Sequence, residues 1–351
     1  MLALSFTMNA PIQEEVREMP PVAPTLKDVA LMAGVSEITV SRVVRNKGPI
    51  SGDTRLRVTA AIDALGYVPN RAAGSLASAG APLIGVLLPS LSNIVFPEVL
   101  RGIQAALAST NYQSLVGVTE YDPVVEQHIV SSLLAWKPAA LIMTGFDHTD
   151  ATRMMLAKHD VRVAELMDIG AEPIDIAVGL SHRRAGYDSG RHLIQRGYRR
   201  FGYVGHDWDA DRRARRRYDG LCAALAEAGL SLTAESRSPH ASSTRAGKET
   251  LKTLLLDAPK LDVVVFSNDD MAIGGFFHCL EAGISVKEEL ALFGFNGLAI
   301  GQDLPKPLST VRSNRFLIGK TAVERLLGAA ETSDHRRVID TGYEIVEGAT
   351  A

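Results

Sequence analysis

The apolar positions near the N-terminus repeat with the spacing of three short helices. The first helix is predicted to begin at Thr25, a good N-cap, and to end at Gly34, because glycine adopts a positive φ without strain. The second is predicted to begin after Ser36 and the third after Ser51 or Asp53. The first two form a helix-turn-helix. The inward faces of the three helices, in order, are predicted to be Val29, Ala30 and Ala33; Val40, Val43 and Val44; and Val58, Ala61, Ile62 and Leu65.

From Pro82 onward, short apolar runs alternate with longer amphipathic segments. This alternation predicts parallel sheets with helices on both faces, and the number of units predicts two such sheets side by side. The apolar runs are LIGVLLP, SLVGV, ALIMTG, VRVAEL, DIAVGL, RFGYVG, DVVVFS and ALFGF. The helical segments are predicted at 96–109, 124–136, 151–158 and 271–282, with two more through His192 and Cys222.

The composition is that of a globular protein with more than one domain. The 351 residues are 46% hydrophobic and 22% charged. The sequence contains no run of about 18 apolar residues, so it predicts no membrane helix. Residues 1–23 are acidic and rich in proline, lack the features of a signal peptide, and are predicted to be a disordered leader. Cys222 and Cys279 lie among apolar residues, as expected of reduced thiols in a cytoplasmic protein.

Positive charge is concentrated near the N-terminus. The whole chain has a net charge of −3, but residues 24–80 hold seven basic and four acidic side chains. The second helix leaves polar and basic side chains on its outer face, which suits the major groove of DNA. A plain helical hairpin with a solvated face is the alternative, because a helix-turn-helix pattern alone is a weak signal.

The runs TLKDVALMAGVSEITVSRVVRN and GYVPNRAAGSLAS resemble the lactose-repressor family of bacterial transcription regulators, and the resemblance extends across nearly the whole chain. It implies an all-α helix-turn-helix domain at 24–69, a hinge helix at 70–81, and an α/β effector-binding and dimerisation domain at 82–351. That domain has two lobes, as in periplasmic sugar-binding proteins. Crossings between the lobes are implied near Ser181, Arg312 and Asp334.

The resemblance also implies double-stranded operator DNA as a partner. In this family the hinge helices of two subunits pair in the minor groove and insert a leucine into a base step, at the position of Leu76. Gly74 weakens such a helix by about 1 kcal/mol relative to alanine, so we expect the hinge to be unfolded without DNA. A flexible linker is the alternative. The implied DNA-binding residues are Thr25, Ser36, Glu37, Ile38, Thr39, Ser41, Arg42, Arg45, Asn70, Ala73 and Leu76.

Ligands of open parallel sheets bind beyond the carboxyl ends of the strands, and the segments that follow the apolar runs are polar in this sequence. We therefore expect a polar effector site between the lobes. The predicted effector-binding residues are Ser92, Asn93, Phe96, Phe146, Asp168, Arg217, Asn268 and Asn296.

Arg217 is the predicted anchor of an anionic effector, because it lies three residues before Gly220, where the family's anion- or hydroxyl-binding arginine lies. Its neighbours in the run DRRARRRYDGL are expected to form a solvated basic loop. Asn268 matches the family's SNDxMA-like segment, and its amide suits sugar hydroxyls. Asp270 either joins the site or caps a helix that starts at Met271.

Asn296 occupies a position where sugar and purine sensors of the family have aspartate, and GFNGLAIGQDLPKPLSTVRSN resembles the gluconate-regulator branch. A neutral amide removes a negative charge from the pocket, which suits a sugar acid that faces Arg217. The resemblance thus implies a repressor of carbohydrate or sugar-acid metabolism whose operator affinity responds to an effector such as gluconate.

Two other classes of function fit less well. The chain has no dinucleotide, phosphate-loop, nucleophile-elbow or spaced metal-ligand motif, so no enzyme activity, cofactor or metal is expected. A transport receptor is disfavoured by the DNA-binding module and by the lack of a signal peptide, and no membrane partner is expected. Because GYEIVEGATA contains no apolar heptad repeat, a homodimer is expected rather than a tetramer.

Overall fold

The computed structural model describes residues 23–45, 47–68, 81–91, 93–208, 211–328 and 337–351. The chain divides into an N-terminal unit that ends at Ser78 and a C-terminal unit that begins at Ala79. In the described residues the first unit is helical, and the second holds two parallel sheets with helices around them. The predicted combination of an all-α domain and a two-lobed α/β domain is confirmed.

Side-chain caps begin each helix of the N-terminal unit. The Thr25 hydroxyl accepts from the amide of Asp28, whose carboxylate accepts from the amide of Thr25 at 2.7 Å, so the two residues form a capping box. Gly34 ends this helix with a φ of 63°. The Ser36 and Ser51 hydroxyls cap the next two helices. The three are α1 (Leu26–Ala33), α2 (Glu37–Val44) and α3 (Gly52–Leu65).

One small apolar core holds these helices together. Val29, Val40 and Val58 are fully buried at its centre. Because α2 packs through Val40 and Val43, the opposite side of that helix faces solvent. The predicted inward residues that are only partly buried lie at the edge of the core: Val44, Ile62 and Leu65.

The first lobe of the C-terminal unit is built on a six-stranded sheet in which all neighbouring strands are parallel. In spatial order the strands are β11 (Val338–Asp340), β5 (Ile176–Gly179), β4 (Arg162–Leu166), β3 (Pro138–Thr144), β1 (Ala81–Leu88) and β2 (Gln113–Val118). Its helices are α4 (Val95–Leu107), α5 (Pro123–Leu134), α6 (Asp150–His159) and α12 (Arg315–Leu327).

The second lobe has a four-stranded parallel sheet. In spatial order its strands are β7 (Leu232–Arg237), β6 (Phe201–Gly205), β8 (Val263–Phe266) and β9 (Ala291–Phe293). Its helices are α7 (His182–Gln195), α8 (Arg212–Glu227), α9 (Thr244–Asp257), α10 (Asp269–Ala282) and α11 (Ala299–Gln302). The apolar pattern did not predict β7 or α9. For β7 the reason is that it is an edge strand of alternating exposure with few apolar residues.

The described chain passes between the lobes at three places. The passages predicted near Ser181 and Arg312 are confirmed, since one lies between β5 and α7 and another at β10 (Thr310–Ser313). The passage predicted near Asp334 comes later, because β11 still belongs to the first sheet. The chain then forms β12 (Tyr343–Val346), which is antiparallel to β10. Among the helices of the described ranges, none has the length and apolar character to cross a membrane.

Helices of the C-terminal unit approach each other closely at glycines. A Cβ on Gly186 of α7 would lie 1.9 Å from the carbonyl oxygen of Arg217 in α8. Reciprocally, a Cβ on Gly220 of α8 would lie 2.0 Å from the carbonyl oxygen of Arg183. Because backbone meets backbone, no side chain can yield, and the positions of the two helices are fixed. The same arrangement pairs Gly102 with Gly319 between α4 and α12, and Gly247 with Gly274 between α9 and α10.

A buried histidine holds the segment after β3 against the first lobe. His148 Nδ1 lies 2.6 Å from Glu126 of α5, and Nε2 lies 3.2 Å from Glu165 of β4. Burial by itself lowers the pKa of His148, but the two carboxylates outweigh it and raise the pKa to about 9. The imidazolium therefore acts as the counterion of two buried carboxylates near neutral pH.

We expect Gly186→Ala to destabilise the C-terminal unit by about 1–3 kcal/mol or more, because the new methyl group overlaps a backbone oxygen of α8. Alanine is otherwise the better helix former by about 1 kcal/mol, so a loss isolates the steric effect. Urea unfolding measures the change. Gly301→Ala is the control, since its Cβ meets only Leu308 side-chain atoms at 3.4 Å; equal stability of the two variants would contradict the packing described.

The His148 cluster predicts a stability that falls in alkaline solution. A pKa raised in the folded state stabilises fully below the unfolded value of about 6.5, and this contribution, of the order of 3 kcal/mol, is lost as pH rises through about 9. Thermal unfolding between pH 6 and 10 measures it. His148→Gln should be less stable at pH 7 and flatter above it, whereas His128→Gln, at an exposed site, should retain the wild-type profile.

Candidate functional site

The solvent-facing side of α2 carries polar and basic side chains together with one large apolar side chain. Ile38, in the first turn, is 67% exposed, and Glu37, Arg42 and Arg45 are exposed on the same helix or at its end. Such a mixture provides donors and acceptors for base edges and an apolar contact for a thymine methyl group. The other predicted DNA-binding residues of this unit are exposed (Thr25, Ser36) or partly buried (Thr39, Ser41).

Two of these hydroxyl groups are already engaged locally. The Ser36 and Thr39 side-chain oxygens are 2.9 Å apart, and Ser36 also accepts from the Thr39 amide as the helix cap. The other predicted DNA-binding side chains of this helix and its end take no part in this cap: Glu37, Ile38, Ser41, Arg42 and Arg45. The predicted hinge residues Asn70, Ala73 and Leu76 lie outside the described residues, as does Ser92 of the predicted effector site.

The cleft between the two lobes contains two neighbouring cavities. The first, which we name the arginine cavity, has a volume of about 490 Å³; the second, the asparagine cavity, has a volume of about 390 Å³. Tyr121 of the first lobe and Asp211 of the second line both. The arginine cavity is lined mainly by Thr119, Asp122, Glu126, Thr144, Phe146, Asp147, His148, Asp168, Arg212, Arg213 and Arg216. The asparagine cavity is lined mainly by Ser90, Asn93, His206, Ser242, Asn268, Asp270, Phe277 and Asn296.

The predicted effector-binding residues divide between these cavities. Phe146 and Asp168 line the arginine cavity, and Asn93, Asn268 and Asn296 line the asparagine cavity. On the cavity wall, the Asn93 amide donates to the Tyr121 hydroxyl at 2.9 Å. The Asn296 amide donates to Asn268 Oδ1 at 3.4 Å. Phe96 and Arg217 line neither cavity, because both are buried within the lobes.

Arg217 is enclosed by the second lobe instead of opening onto the cleft. One terminal nitrogen donates to the carbonyl oxygen of Ser267 at 2.9 Å and to Asn268 Oδ1 at 3.0 Å. Its guanidinium carbon lies 4.2 Å from the centre of the Phe295 ring. The guanidinium therefore supports Asn268 from behind the cavity wall. Direct contact between Arg217 and an effector stays a prediction.

His182 connects Arg217 to the first lobe. The other terminal nitrogen of Arg217 lies 3.1 Å from His182 Nδ1, and His182 Nε2 lies 2.8 Å from the carbonyl oxygen of Met167. Burial lowers the pKa of His182 to about 4, so the ring is neutral. A neutral ring accepts from Arg217 and donates to Met167, and a continuous hydrogen-bonded chain therefore runs from the end of β4 to Asn268.

The arginine run lies in the first turns of α8, and not in the solvated loop that was predicted. Arg212 pairs with Asp147 of the first lobe at 2.9 Å, and Arg216 pairs with Asp168 of the same lobe. Arg213 donates through Nε to Asp211 at 3.1 Å. Arg215, like Arg212, is exposed, but it pairs with Asp219 of its own helix at 2.9 Å. Two ion pairs thus bridge the lobes across the arginine cavity.

Tyr121, Asp211 and Arg213 were not among the predicted effector-binding residues. Tyr121 follows β2, so the rule that placed ligands beyond strand ends applies to it as well. Arg213 was not predicted to line the cleft, because its segment was expected to be a solvated loop. Asp270 lines the asparagine cavity, and its carboxylate accepts from the adjacent Met271 amide at 2.9 Å. It does not cap the helix as predicted, because α10 begins at Asp269 and its N-cap position is Asn268. In the part of the chain that the structure describes, no histidine, cysteine or carboxylate cluster could hold a metal ion.

Comparison with known proteins places both units in one family. The family model described as "Bacterial regulatory proteins, lacI family" matches residues 25–70. The model described as "Periplasmic binding proteins and sugar binding domain of LacI family" matches residues 81–345. The chain is 37% identical over 331 residues to the HTH-type transcriptional regulator GntR of Escherichia coli (strain K12). The aligned region covers 93% of this chain and 98% of that protein.

Two solved structures agree with this assignment. A LacI-family transcriptional regulator from Silicibacter pomeroyi is 41% identical, covers 93% of this chain and 99% of its own, and superimposes with a TM-score of 0.88. The lac repressor dimer, bound to operator and an anti-inducer, is 25% identical, covers 94% and 99%, and has a TM-score of 0.82. These matches are to transcription regulators and not to enzymes. The chain is a DNA-binding transcription regulator that belongs to the LacI family of bacterial regulatory proteins.

Proposed function

We propose that this regulator represses genes of carbohydrate or sugar-acid metabolism, and that a sugar acid such as gluconate, bound between the lobes, controls its affinity for operator DNA. It acts as a homodimer in the cytoplasm, where its DNA partner is found. Residues 24–69 bind the major groove, 70–81 form the hinge, and 82–351 bind the effector and dimerise. The supporting observation is a cleft lined from both lobes by guanidinium, amide and hydroxyl groups. The carboxylates that also line the arginine cavity are paired with arginine, histidine or backbone groups.

The chemistry of the cleft favours a polyhydroxylated ligand with a negative charge. Asn268 and Asn296 present neutral amides to the cleft, and other sensors of the family carry aspartate at the position of Asn296. Amides both donate to and accept from hydroxyl groups. Arginines line the neighbouring cavity, and guanidinium groups bind carboxylates through two parallel hydrogen bonds. A sugar acid has both kinds of group.

The exposed face of α2 supports the proposed contacts with bases. Its cationic side chains, Arg42 and Arg45, are on the solvent side of a helix whose other side is fixed in the core. Arginine binds guanine through two hydrogen bonds in the major groove. We propose that Arg42 reads a base and that the remaining outward residues position α2 on the operator.

Exposed apolar side chains on the second lobe support a homodimer. Leu280 of α10 is 57% exposed, and Phe277 of α10 and Ile300 of α11, which also line the asparagine cavity, are each more than 40% exposed. Adjacent large apolar side chains on a protein surface mark sites of association. The first lobe adds Leu91 and Ile94, which are also exposed.

Control of operator binding requires the ligand to favour one arrangement of the lobes. The pairs Arg212–Asp147 and Arg216–Asp168 join the lobes at the cavity, so a ligand that binds there changes how firmly the lobes are held. By linkage, the effector changes operator affinity by the ratio of its affinities for the two arrangements, typically about 1–3 kcal/mol.

We expect gluconate to bind the purified protein and to change its affinity for an operator fragment by about 5-fold to 150-fold. Calorimetric titration measures ligand binding, and gel shifts with selected genomic fragments measure operator binding with and without ligand. Neutral hexoses are the comparison. A protein that binds a neutral hexose more tightly than any sugar acid contradicts the proposed effector class and leaves the DNA-binding assignment intact.

Replacement of Arg42 by alanine is expected to weaken specific operator binding by about 1–3 kcal/mol, because a bidentate contact with a base is lost. Arg57→Ala removes the same charge from an exposed site on α3 and should lower affinity less. Gel shifts on operator and on mutated operator compare the two variants. If both lose affinity equally on both DNAs, Arg42 contributes only general charge and does not read a base.

A further inference from the structure

We infer that Arg213, rather than Arg217, receives the carboxylate of the ligand, and that the arginine cavity is the subsite that selects acids over neutral sugars. The inference rests on the proposed function, in which a sugar acid binds between the lobes. It assigns that selectivity to a residue four positions before the arginine that the family resemblance indicates.

Arg213 has hydrogen-bonding capacity left over at the wall of the arginine cavity. Its side chain is 13% exposed, and Nε is the atom that donates to Asp211. Within the described residues, neither terminal nitrogen of Arg213 has a hydrogen-bond acceptor. Its guanidinium carbon lies 5.7 Å from the centre of the buried Phe96 ring, which limits the positions of the group. Two terminal nitrogens in one plane match the two oxygens of a carboxylate.

The other arginines of the run are engaged. Arg212 and Arg216 pair with Asp147 and Asp168 of the opposite lobe. Arg217 donates to Ser267, Asn268 and His182 in the interior. A ligand that used the bonded terminal nitrogens of any of these three would first have to break an existing contact, whereas the terminal nitrogens of Arg213 require no exchange.

Asp211 orients Arg213 without occupying its terminal nitrogens. Burial raises the pKa of Asp211, but the positive charge of Arg213, a hydrogen bond from His206 and the charge of Arg217 together hold this pKa well below the usual range, so the carboxylate is ionised. Asp211 is the residue before α8, and its side chain does not cap that helix. The dipole at this helix end adds to the attraction for an anion.

The carboxylates on the cavity wall have partners of their own, so they leave Arg213 available. Asp122 caps α5 by accepting from the Val124 amide at 2.7 Å, and Glu126 contacts His148. The opposite wall offers hydroxyl groups for the rest of the ligand. Tyr121 accepts from Asn93 and retains its own proton for donation, because burial raises its pKa. The volume of about 490 Å³ falls in the usual range for small-molecule sites.

The inference is tested by removing the positive charge of Arg213, the negative charge of the ligand, or both. Gluconate and D-glucitol, which has an alcohol in place of the carboxylate, are titrated calorimetrically into the wild type and Arg213→Gln. Loss of hydrogen bonds to a charged group weakens binding by about tenfold to a hundredfold. We expect this loss for gluconate, little change for glucitol, and therefore loss of the preference for the acid.

Matched variants separate Arg213 from its neighbours. Arg215→Gln removes a charge from the same helix, but Arg215 lies over the Trp208 ring and pairs with Asp219, outside the cavity. The Arg215→Gln variant should therefore bind both ligands as the wild type does. Arg217→Gln should weaken gluconate and glucitol to the same extent, because it acts through Asn268. Arg213→Lys keeps a charge beside Asp211 but lacks the planar group, so it should fold and lose part of the preference.

Each outcome distinguishes the two proposals. Gluconate binding that is unchanged in Arg213→Gln, or an acid preference that is lost only in Arg217→Gln, overturns the role of Arg213 and leaves the sugar-acid effector standing. A wild type that prefers glucitol overturns the effector class itself, and the role of Arg213 with it. Thermal unfolding shows which variants are folded. If Arg213→Gln is unfolded, undiminished acid preference in Arg213→Lys is the result that counts against the inference.

Discussion

The position of α8 depends on direct contact between two helix backbones. Gly186 and Gly220 allow α7 and α8 to approach until a single methyl group would overlap a carbonyl oxygen. Because α7 begins just after the chain leaves the first lobe, this contact also fixes the start of α8 relative to the end of β5. The arginines of α8 reach the cleft from there. Close helix packing, rather than any contact in the cleft itself, sets the geometry of the ligand site.

Two kinds of contact connect the lobes at this point. The buried chain from Met167 through His182 to Arg217 is formed by a neutral ring and a guanidinium whose terminal nitrogens donate to interior acceptors. The pairs Arg212–Asp147 and Arg216–Asp168 are ion pairs in which both arginines are at least 30% exposed, whereas Asp168 is buried. Buried groups without compensation are costly, so the first kind holds a fixed arrangement, whereas the second kind can exchange partners when a ligand enters.

The small helices and the sheets were predictable because each depends on local signals. Thr25, Gly34 and Ser36 mark helix ends by side-chain capping and positive φ, and these effects act over a few residues. Buried strands such as β8 are short apolar runs that need no tertiary information. Of the elements that were not predicted, β7 is an edge strand and α9 a helix of mixed polarity, for which the apolar pattern is weak. The elements after β9, including α12, were not predicted either.

The side chains of the cleft were harder to predict. Five arginines in the run differ only in the angle at which they leave α8, so their roles follow from helical phase. Arg213, Arg216 and Arg217 are spaced three and four apart and share a face with Gly220, which packs on α7. That phase was lost when the segment was treated as a loop. Which of the three is enclosed and which lines a cavity depends on partners such as Ser267 and Asp168, which lie on other segments and cannot be placed by spacing.

The contacts between the lobes also differ in their response to dissolved salt. Arg212 and Asp147 are 65% and 44% exposed, and their attraction is screened over about 8 Å at physiological ionic strength. The buried contact of His182 with Met167 involves no net charge and no solvent, so salt leaves it unchanged. Ionic strength therefore acts on this regulator twice, once by counterion release at the operator and once by loosening one side of the cleft. The second effect is the part that persists in the absence of DNA.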